Sequence, residues 1–231
     1  MPVSPLPSLE ELHRRAQRVF RRGGGTRPEV LLVEIDGQPA VLKDYARSDP
    51  WFRRLVGPLS ARREARALEL LDGLAGVPRL LGRPARDALL LEYIPGVTAR
   101  ELKRGAVSAE FFERFYRLVA AIHSRGVAHC DLRSTGNILL GPNGEPYAVD
   151  FVAHFKQGEW WNPLTRWIFR KFCSADRTAV ARLKRSLAPE LLTADEQAAL
   201  ARDRNTPLER TARAVGKSIR NVSRWLLTRQ Q

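Results

Sequence analysis

Residues 127–151, VAHCDLRSTGNILLGPNGEPYAVDF, place one histidine, one asparagine and two aspartates among runs of aliphatic residues. The segments NILL and PYAVDF have the composition of short buried strands, and GPNGE between them predicts a hairpin turn. Asn137 begins the first strand and Asp150 ends the second, so we expect the hairpin to bring both side chains to one end. A carboxylate in an apolar strand is costly unless it is paired or binds a metal.

The oxygens of Asn137 and Asp150 indicate what such a pair can bind. A few hard oxygen donors, with water or phosphate completing the shell, suit Mg²⁺. Asp131 precedes the first strand on a loop, where it can accept a proton from a substrate hydroxyl. The residues alone therefore predict a magnesium site with a candidate proton acceptor beside it.

Composition limits the class of protein and the class of partner. The chain has 231 residues and 44% apolar content, which is ordinary for a globular protein with a core. Its net charge of +14 favours anionic partners, namely nucleotides, nucleic acid, phospholipid headgroups or acidic glycans, without choosing among them. The arginines are spread along the whole sequence, so part of the excess can equally reflect genomic base composition.

Cysteine usage and hydropathy predict the compartment. Cys130 and Cys173 form no CxxC pair, which argues against a zinc site and a disulfide framework and fits a reducing cytoplasm. The N-terminus lacks the features of a secretory signal, and no window approaches 18 uninterrupted apolar residues. We therefore expect a cytoplasmic protein without a membrane span.

The N-terminal part is predicted to be rich in strands. The capping box of Ser8 and Glu11 predicts a helix through about Phe20, which three glycines at 23–25 then break. EVLLVEIDGQPAVLKDY is typical of a hairpin with an Asp-Gly turn. The composition of residues 60–74 predicts a helix, and DALLLEYIPG predicts a further strand.

The C-terminal part is predicted to be helical. Ser108 precedes a helix with apolar residues at helical spacing, which are Phe111, Phe112, Phe115, Leu118, Val119 and Ile122. Asn162 and Pro163 predict the start of a short helix, WNPLTRWIFRKF, and Thr193 with Glu196 forms another capping box. A last helix after Thr206 has an apolar seam that either docks on its own domain or mediates dimerisation, formed by Leu208, Ala212, Val215, Ile219, Val222 and Leu226.

Several segments together resemble the protein kinase-like superfamily. HCDLRSTGN is similar to the catalytic loop HRDLxxxxN, and DFV is similar to the DFG motif. AVLKDY is similar to the VAIK strand, RREARAL to the helix whose glutamate pairs with that lysine, and LLLEYIPG to the hinge that receives adenine. The motifs follow the order found in the family, and the resemblance covers residues 18–155.

The resemblance implies an α+β, bilobal protein kinase-like fold with a small β-rich N-lobe and a helical C-lobe. It implies a single domain over residues 1–231, with the N-lobe ending at about 91, a hinge at about 92–96 and a C-lobe from about 97. It also implies ATP and Mg²⁺ as cofactors.

Departures from the family pattern indicate a subgroup. Cys130 stands in place of arginine, the catalytic loop has an additional residue before Asn137, and valine replaces the glycine of DFG. The stretch GGGTRPEV is not GxGxxG, and neither an APE motif nor a long activation segment follows Asp150. These features resemble the small bacterial lipopolysaccharide kinases, including the 3-deoxy-manno-octulosonic acid kinases, and the RIO-like atypical kinases.

The resemblance also implies a role for each matched residue. Lys43 would hold the α- and β-phosphates and pair with Glu64, while Asp150 and Asn137 would bind Mg²⁺. Asp131 would orient the acceptor hydroxyl and take its proton. Arg133 would contact the transferred phosphoryl group. The phosphates would be covered by Gly23, Gly24 and Gly25. Adenine would be contacted by Glu92 and Ile94.

The segment EWWNPLTRWIFRKF follows Asp150, where the acceptor side of the cleft is expected. Its tryptophans and cations are typical of a helix at a membrane interface. The competing interpretation is that its aromatic residues fill the core of the C-lobe while its cations are solvated. The interfacial interpretation predicts contact with the inner membrane surface, and a kinase for a sugar of lipopolysaccharide or a related anionic glycolipid.

Two alternative functions remain open at this point. One is a RIO-like protein serine/threonine kinase, and the other is a pseudokinase or nucleotide-binding regulatory scaffold, because the glycine loop and the catalytic loop are irregular. The presence of four motif residues argues against the scaffold, and these are Lys43, Asp131, Asn137 and Asp150. We expect no nucleic-acid partner, since the sequence has no pattern of a recognition helix or aromatic platform.

Overall fold

The computed structural model describes residues 6–159 and 161–203. Contacts divide the chain into two compact units, residues 1–191 and 192–231. The strands in the described part of the chain are β1 (Ala16–Arg21), β2 (Glu29–Ile35), β3 (Gln38–Asp44), β4 (Leu80–Ala85), β5 (Ala88–Glu92), β6 (Val97–Thr98), β7 (Val127–Ala128), β8 (Ile138–Leu140), β9 (Pro146–Ala148) and β10 (Phe155–Lys156). The helices are α1 (Leu9–Arg14), α2 (Pro50–Leu55), α3 (Gly57–Leu70), α4 (Ala109–Ser124), α5 (Pro163–Leu187) and α6 (Ala194–Asp203).

The first unit begins with an antiparallel sheet in the order β1-β2-β3-β5-β4. β2 and β3 form the predicted hairpin, and Asp36 and Gly37 at its turn both have left-handed backbones, with φ of 49° and 74°. Such a turn matches the twist of the flanking strands, which is why Asp-Gly is favoured there. The α+β class predicted from the sequence is confirmed, whereas the single domain over 1–231 with its lobe boundaries stays a prediction.

The two faces of the sheet pack against different partners. Leu12 of α1 packs on one face, where it meets alternate residues such as Leu31 of β2 and Leu42 of β3. Neighbouring residues of a strand point to opposite faces. Lys43 and Leu89 therefore lie on the other face, which packs against α3 and the helical part of the unit.

The first helix is shorter than predicted. The capping box of Ser8 and Glu11 is present, but α1 ends at Arg14, and residues 16–21 form β1 instead of continuing the helix to Phe20. β1 pairs with β2 along its length. The prediction was wrong because helical spacing is a local signal, whereas a strand pairing with a distant segment is not.

The helical part of the first unit is built around α4. All six residues of its predicted apolar stripe are buried, and they pack in the main core cluster with residues of α3, α5 and the sheet. α5 was predicted to be short but continues to Leu187. It continues because buried residues recur along one face after Phe172, which are Cys173, Asp176, Val180, Leu183 and Leu187.

The second unit is described only in part. The capping box of Thr193 and Glu196 is confirmed, with Thr193 N–H donating to Glu196 Oε2 at 2.8 Å and Glu196 N–H donating to Thr193 Oγ1 at 3.2 Å. The predicted last helix and its apolar seam at 208–226 lie outside the described residues. Within residues 6–159 and 161–203, every helix is too short or too polar to traverse a lipid bilayer.

We expect Phe115→Ala to lower the free energy of unfolding by about 3–5 kcal/mol, because it leaves a cavity at a fully buried ring. Leu59→Ala is the matched control, since Leu59 is 57% exposed on α3, and it should change stability by less than about 0.5 kcal/mol. Urea denaturation of both variants measures the difference. Equal effects would contradict the assignment of α4 as the centre of the core.

Candidate active site

Lys43 joins three segments that are far apart in the sequence. Its ammonium donates to Glu64 Oε2 of α3 at 2.6 Å and to Asp150 Oδ1 at 2.7 Å. The side chains of Lys43 and Glu64 are buried, and that of Asp150 is 35% exposed. The sheet, α3 and the segment after β9 thus meet at one cation, and the predicted pairing of Lys43 with Glu64 is present.

Burial and the opposite charges at this contact shift the pKa values of its groups, and burial raises that of Glu64. Burial acts to lower the pKa of Lys43, but the carboxylates of Glu64 and Asp150 outweigh it and raise that pKa above its ordinary value. Burial alone would raise the pKa of Asp150, but the Lys43 ammonium holds it below its usual range. Lys43 is therefore protonated and Asp150 ionised at neutral pH.

The hairpin of β8 and β9 brings Asn137 and Asp150 to the same end, as predicted. Asn137 directly precedes β8, and its carbonyl accepts the N–H of Val149 at 2.9 Å. Asp150 follows with a left-handed backbone, at φ 67°. A left-handed conformation costs free energy for a residue other than glycine, and such residues concentrate at functional sites. The turn at Asp150 directs its carboxylate toward Lys43.

Asp131 lies on the loop before this hairpin. Asn137 Nδ2 donates to Asp131 Oδ2 at 2.9 Å and to the Asp131 carbonyl at 3.1 Å. Burial raises the pKa of Asp131, and the hydrogen bond from Asn137 opposes that shift only in part. Arg133 lies on the same loop and is exposed. The structure thus brings Asp131 and Asn137 into direct contact, while the roles predicted for them and for Arg133 stay predictions.

His129 braces the loop instead of facing the cleft. It is fully buried, its Nε2 bonds the Val149 carbonyl at 3.0 Å, and its Nδ1 accepts the N–H of Asp131 at 3.3 Å. Burial lowers its pKa. Its ring also packs on Phe151, with 4.5 Å between the ring centroids. His129 therefore links the loop that carries Asp131 to the segment that carries Asp150.

Sequence analysis missed Asp176, a buried carboxylate of α5. It accepts the N–H of His129 at 2.7 Å and of Cys130 at 2.9 Å, and it pairs with His123 Nε2 at 3.0 Å. Cys130 has a left-handed backbone with φ 67°. The N–H groups of His129 and Cys130 are both directed at the Asp176 carboxylate of α5. Its position in the sequence could have indicated this role, because Asp176 falls on the buried face of α5 between apolar residues, where a carboxylate needs a partner.

Arg63 of α3 is a second residue that the sequence did not single out. Its guanidinium donates to the carbonyls of Val152 at 3.3 Å and His154 at 2.6 Å. These bonds attach α3 to the segment that follows Asp150. They carried no sequence signal, because an arginine on a helix surface is usually solvated.

The predicted adenine-binding residues lie at the end of β5 and just beyond it. The N–H of Glu92 donates to the Arg79 carbonyl at 2.9 Å. The Glu92 carboxylate accepts a hydrogen bond from Arg79 Nε at 3.2 Å. Ile94 is half-buried two residues further on. The main-chain amide of Glu92 is thus occupied, and the contact of either residue with adenine stays a prediction.

The predicted phosphate-covering glycines lie between β1 and β2. The N–H of Gly24 donates to the Arg27 carbonyl at 3.2 Å, and the N–H of Arg27 donates back at 3.0 Å. The Gly25 carbonyl accepts the N–H of Asp49 at 2.9 Å. A Cβ at Gly23 would lie 2.5 Å from the Cβ of Arg47, so that position requires glycine for packing. Contact of these glycines with phosphates stays a prediction.

The oxygen donors fit a magnesium ion bound together with phosphate. The amide nitrogen of Asn137 donates to Asp131, which leaves its Oδ1 as an acceptor. Asp150, the second oxygen donor, directly follows Val149, whose N–H donates to the Asn137 carbonyl. Among the described residues, no group of three or more His, Cys, Asp or Glu side chains can hold a metal without help. Mg²⁺ is commonly held by one or two carboxylates together with substrate phosphates.

Asp176→Ala should destabilise the protein, because it leaves the buried amides of His129 and Cys130 without an acceptor. Each unpaired donor costs about 1–3 kcal/mol. Glu69→Ala, on the exposed face of α3, is the control for loss of a carboxylate and should be nearly neutral. Urea denaturation measures both, and an unchanged midpoint for Asp176→Ala would contradict this bracing role.

Known proteins support this picture of the fold. The structure is similar to that of the Rio2 kinase from Chaetomium thermophilum, with a TM-score of 0.60 and 16% identity, over 81% of this chain and 62% of that chain. It is also similar to the Rio2 kinase-ADP/Mg²⁺-phosphoaspartate complex from the same organism, with a TM-score of 0.58 and 16% identity, over 80% of this chain and 60% of that chain. The chain thus spans less than two thirds of the length of either solved protein.

No curated protein matches the sequence. The model of the phosphotransferase enzyme family matches residues 19–215. This range extends from β1 through every element of the site. That match covers well over half of the chain and agrees with a sheet and helical part arranged as in a kinase. The chain therefore belongs to the phosphotransferase enzyme family and has a protein kinase-like fold.

Proposed function

We propose that this protein transfers the γ-phosphate of ATP to a sugar hydroxyl of lipopolysaccharide or a related anionic glycolipid. The observation that carries the proposal is the contact of the buried Lys43 ammonium with both Glu64 and Asp150, at 2.6 and 2.7 Å. Phosphoryl transfer depends mainly on positioning and on neutralisation of charge. A cation held beside an ionised carboxylate meets that requirement.

ATP would lie between the sheet and the hairpin, with its α- and β-phosphates against Lys43. Asn137 and Asp150 would hold Mg²⁺, which when bound neutralises charge on the phosphate oxygens. The similar Rio2 kinase complex contains ADP and Mg²⁺, which supports these ligands as the cofactors here. Glu92 and Ile94 would contact adenine, as the resemblance to kinases implies.

Asp131 would position the acceptor. As the hydroxyl oxygen bonds to the γ-phosphorus, its proton passes to the Asp131 carboxylate, and the bond from phosphorus to the bridging oxygen breaks to release ADP. The raised pKa of Asp131 favours this acceptance of a proton. Arg133 on the same loop would neutralise charge on the transferred group.

A surface on the first turns of α5 supports a glycolipid as the acceptor. Leu164, Trp167 and Lys171 are spaced three and four residues apart, so they share one side of the helix. Leu164 is 63% exposed and Trp167 is 48% exposed, and Trp161 just before the helix is 65% exposed. The Lys171 ammonium lies 5.5 Å from the centroid of the Trp167 ring. We name Trp161, Leu164, Trp167 and Lys171 the α5 surface.

Each of the two interpretations of this segment accounts for part of it. Phe169 and Phe172 pack in a cluster with Ala128 and Cys173, as expected if the aromatics fill the core. The α5 surface lies on the opposite side of the helix. Exposed tryptophan and leucine next to lysine have the composition of a helix that contacts anionic headgroups. We therefore propose peripheral binding at the cytoplasmic face of the inner membrane.

The transfer is tested with purified protein, Mg²⁺ and γ-labelled ATP, offered lipopolysaccharide fragments, a generic protein or no acceptor. We expect label on the lipopolysaccharide fragments. Asp131→Asn should lower the rate at least about 100-fold while nucleotide binding is retained, because a general base contributes about 10²–10⁴ in rate. Asp150→Asn should weaken Mg²⁺-dependent binding of ATP itself. Asp72→Asn, at an exposed position, is the control.

Other distributions of label would contradict this acceptor. Label on the generic protein alone would indicate a RIO-like protein kinase. Binding of ATP without transfer to any acceptor would indicate a nucleotide-binding scaffold. Full activity in both the Asp131→Asn and the Asp150→Asn variants would contradict the site.

Membrane contact is tested by co-sedimentation with vesicles of phosphatidylglycerol and phosphatidylcholine, compared with phosphatidylcholine alone. The double variant Leu164→Ser, Trp167→Ser should bind anionic vesicles at least about tenfold more weakly, since burying one such side chain is worth about 1.5–3 kcal/mol. Leu59→Ser is the control, because Leu59 is similarly exposed but lies on α3. Unchanged binding of the double variant would indicate that net charge alone, and not the α5 surface, causes binding to vesicles.

A further inference from the structure

The loop between β1 and β2 offers few backbone donors to a phosphate. In a glycine-rich loop, amide N–H groups cover the phosphates. Here the amides of Gly24 and Arg27 bond each other's carbonyls, at 3.2 and 3.0 Å. Gly23 packs against Arg47, and Gly25 accepts a bond from Asp49, so the loop is attached to the segment after β3. A cation from another position would have to supply the missing contact.

Arg21, the last residue of β1, is placed to do so. It lies opposite Val30 of β2, and Val30 lies opposite Lys43 of β3. Residues directly opposite each other in an antiparallel sheet project from the same face. Arg21 and Lys43 therefore project from the same face, two strand spacings or about 10 Å apart. This is the face that meets Glu64 and Asp150.

The side chain of Arg21 is partly fixed in this position. It is the one half-buried residue of β1, whose other residues are exposed. Its Nε donates to the Pro28 carbonyl at 3.3 Å, and within the described residues no other hydrogen bond of its guanidinium is found. The charge of Arg21 also acts on Tyr45, where it opposes the rise in pKa that burial causes. The terminal nitrogens are thus available close to the Lys43 cluster.

We propose that Arg21 binds the phosphates of the nucleotide and replaces the backbone cover of a glycine-rich loop. The inference rests on the proposed binding of ATP at Lys43 and Asp150. Arginine suits this task because its planar guanidinium presents two parallel N–H donors to phosphate oxygens. Lys43 would hold the phosphates from the floor of the cleft, and Arg21 would cover them from the β1 side.

The dissociation constants of Arg21 variants for MgATP and for adenosine distinguish loss of a phosphate contact from a general disturbance of the nucleotide site. Arg21→Met should weaken MgATP binding about 10- to 100-fold, the range expected for a hydrogen bond to a charged group. Adenosine has no phosphate, so its affinity should change less than about threefold. Arg21→Lys should recover part of the MgATP affinity, because lysine keeps the positive charge but lacks the two parallel N–H donors of the guanidinium. Calorimetry measures MgATP binding, and competition measures adenosine binding.

The control variant is Arg22→Met, which removes the same charge at the next, exposed position. Its MgATP affinity should stay within about threefold of that of the wild-type protein. Wild-type-like MgATP binding by Arg21→Met would overturn the inference. So would an equal loss in Arg22→Met, or an equal loss of MgATP and adenosine binding. If the wild-type protein binds no MgATP, the proposed function fails, and the inference fails with it.

Discussion

The contact of Lys43 with Glu64 and Asp150 is the interaction on which the site depends. It joins the central strand of the sheet, a helix packed on that sheet and the end of a hairpin, with donor to acceptor distances of 2.6 and 2.7 Å. Removing one partner of a buried ion pair leaves the other charge without compensation, which is strongly destabilising. The three segments are therefore held in one arrangement.

A second set of contacts positions the loop that carries Asp131 against this cluster. Asp176 holds two consecutive amides of the loop, and His129 connects the loop to the strand end before Asp150. Cys130 and Asp150 both have left-handed backbones, which only surrounding bonds of this kind can maintain. The loop on which Asp131 contacts Asn137 is thereby fixed at both of these points.

The departures of the sequence from common kinase motifs have structural counterparts. The triglycine segment forms a closed turn attached to the loop after β3, and not a loop with free amides. Beyond Asp150 the chain passes through a short strand pair and into α5, whose first turns expose tryptophan and leucine beside lysine. The parts of the chain that differ most from the usual kinase motifs thus have local structures of their own.

The sequence by itself determined the order of the elements and the motif residues. The β2 and β3 hairpin, the buried stripe of α4 and the hairpin that brings Asn137 near the chain before Asp150 could be predicted, because turn chemistry and apolar spacing are local signals. The Lys43 pairing with Glu64 was predicted from the resemblance to kinases. Only the tertiary structure decided that residues 16–21 form a strand, that Asp176 supports the loop of Asp131 and that Arg21 projects from the same sheet face as Lys43. Each of these depends on pairing or burial against a distant segment, and that contact free energy overrides the local preference.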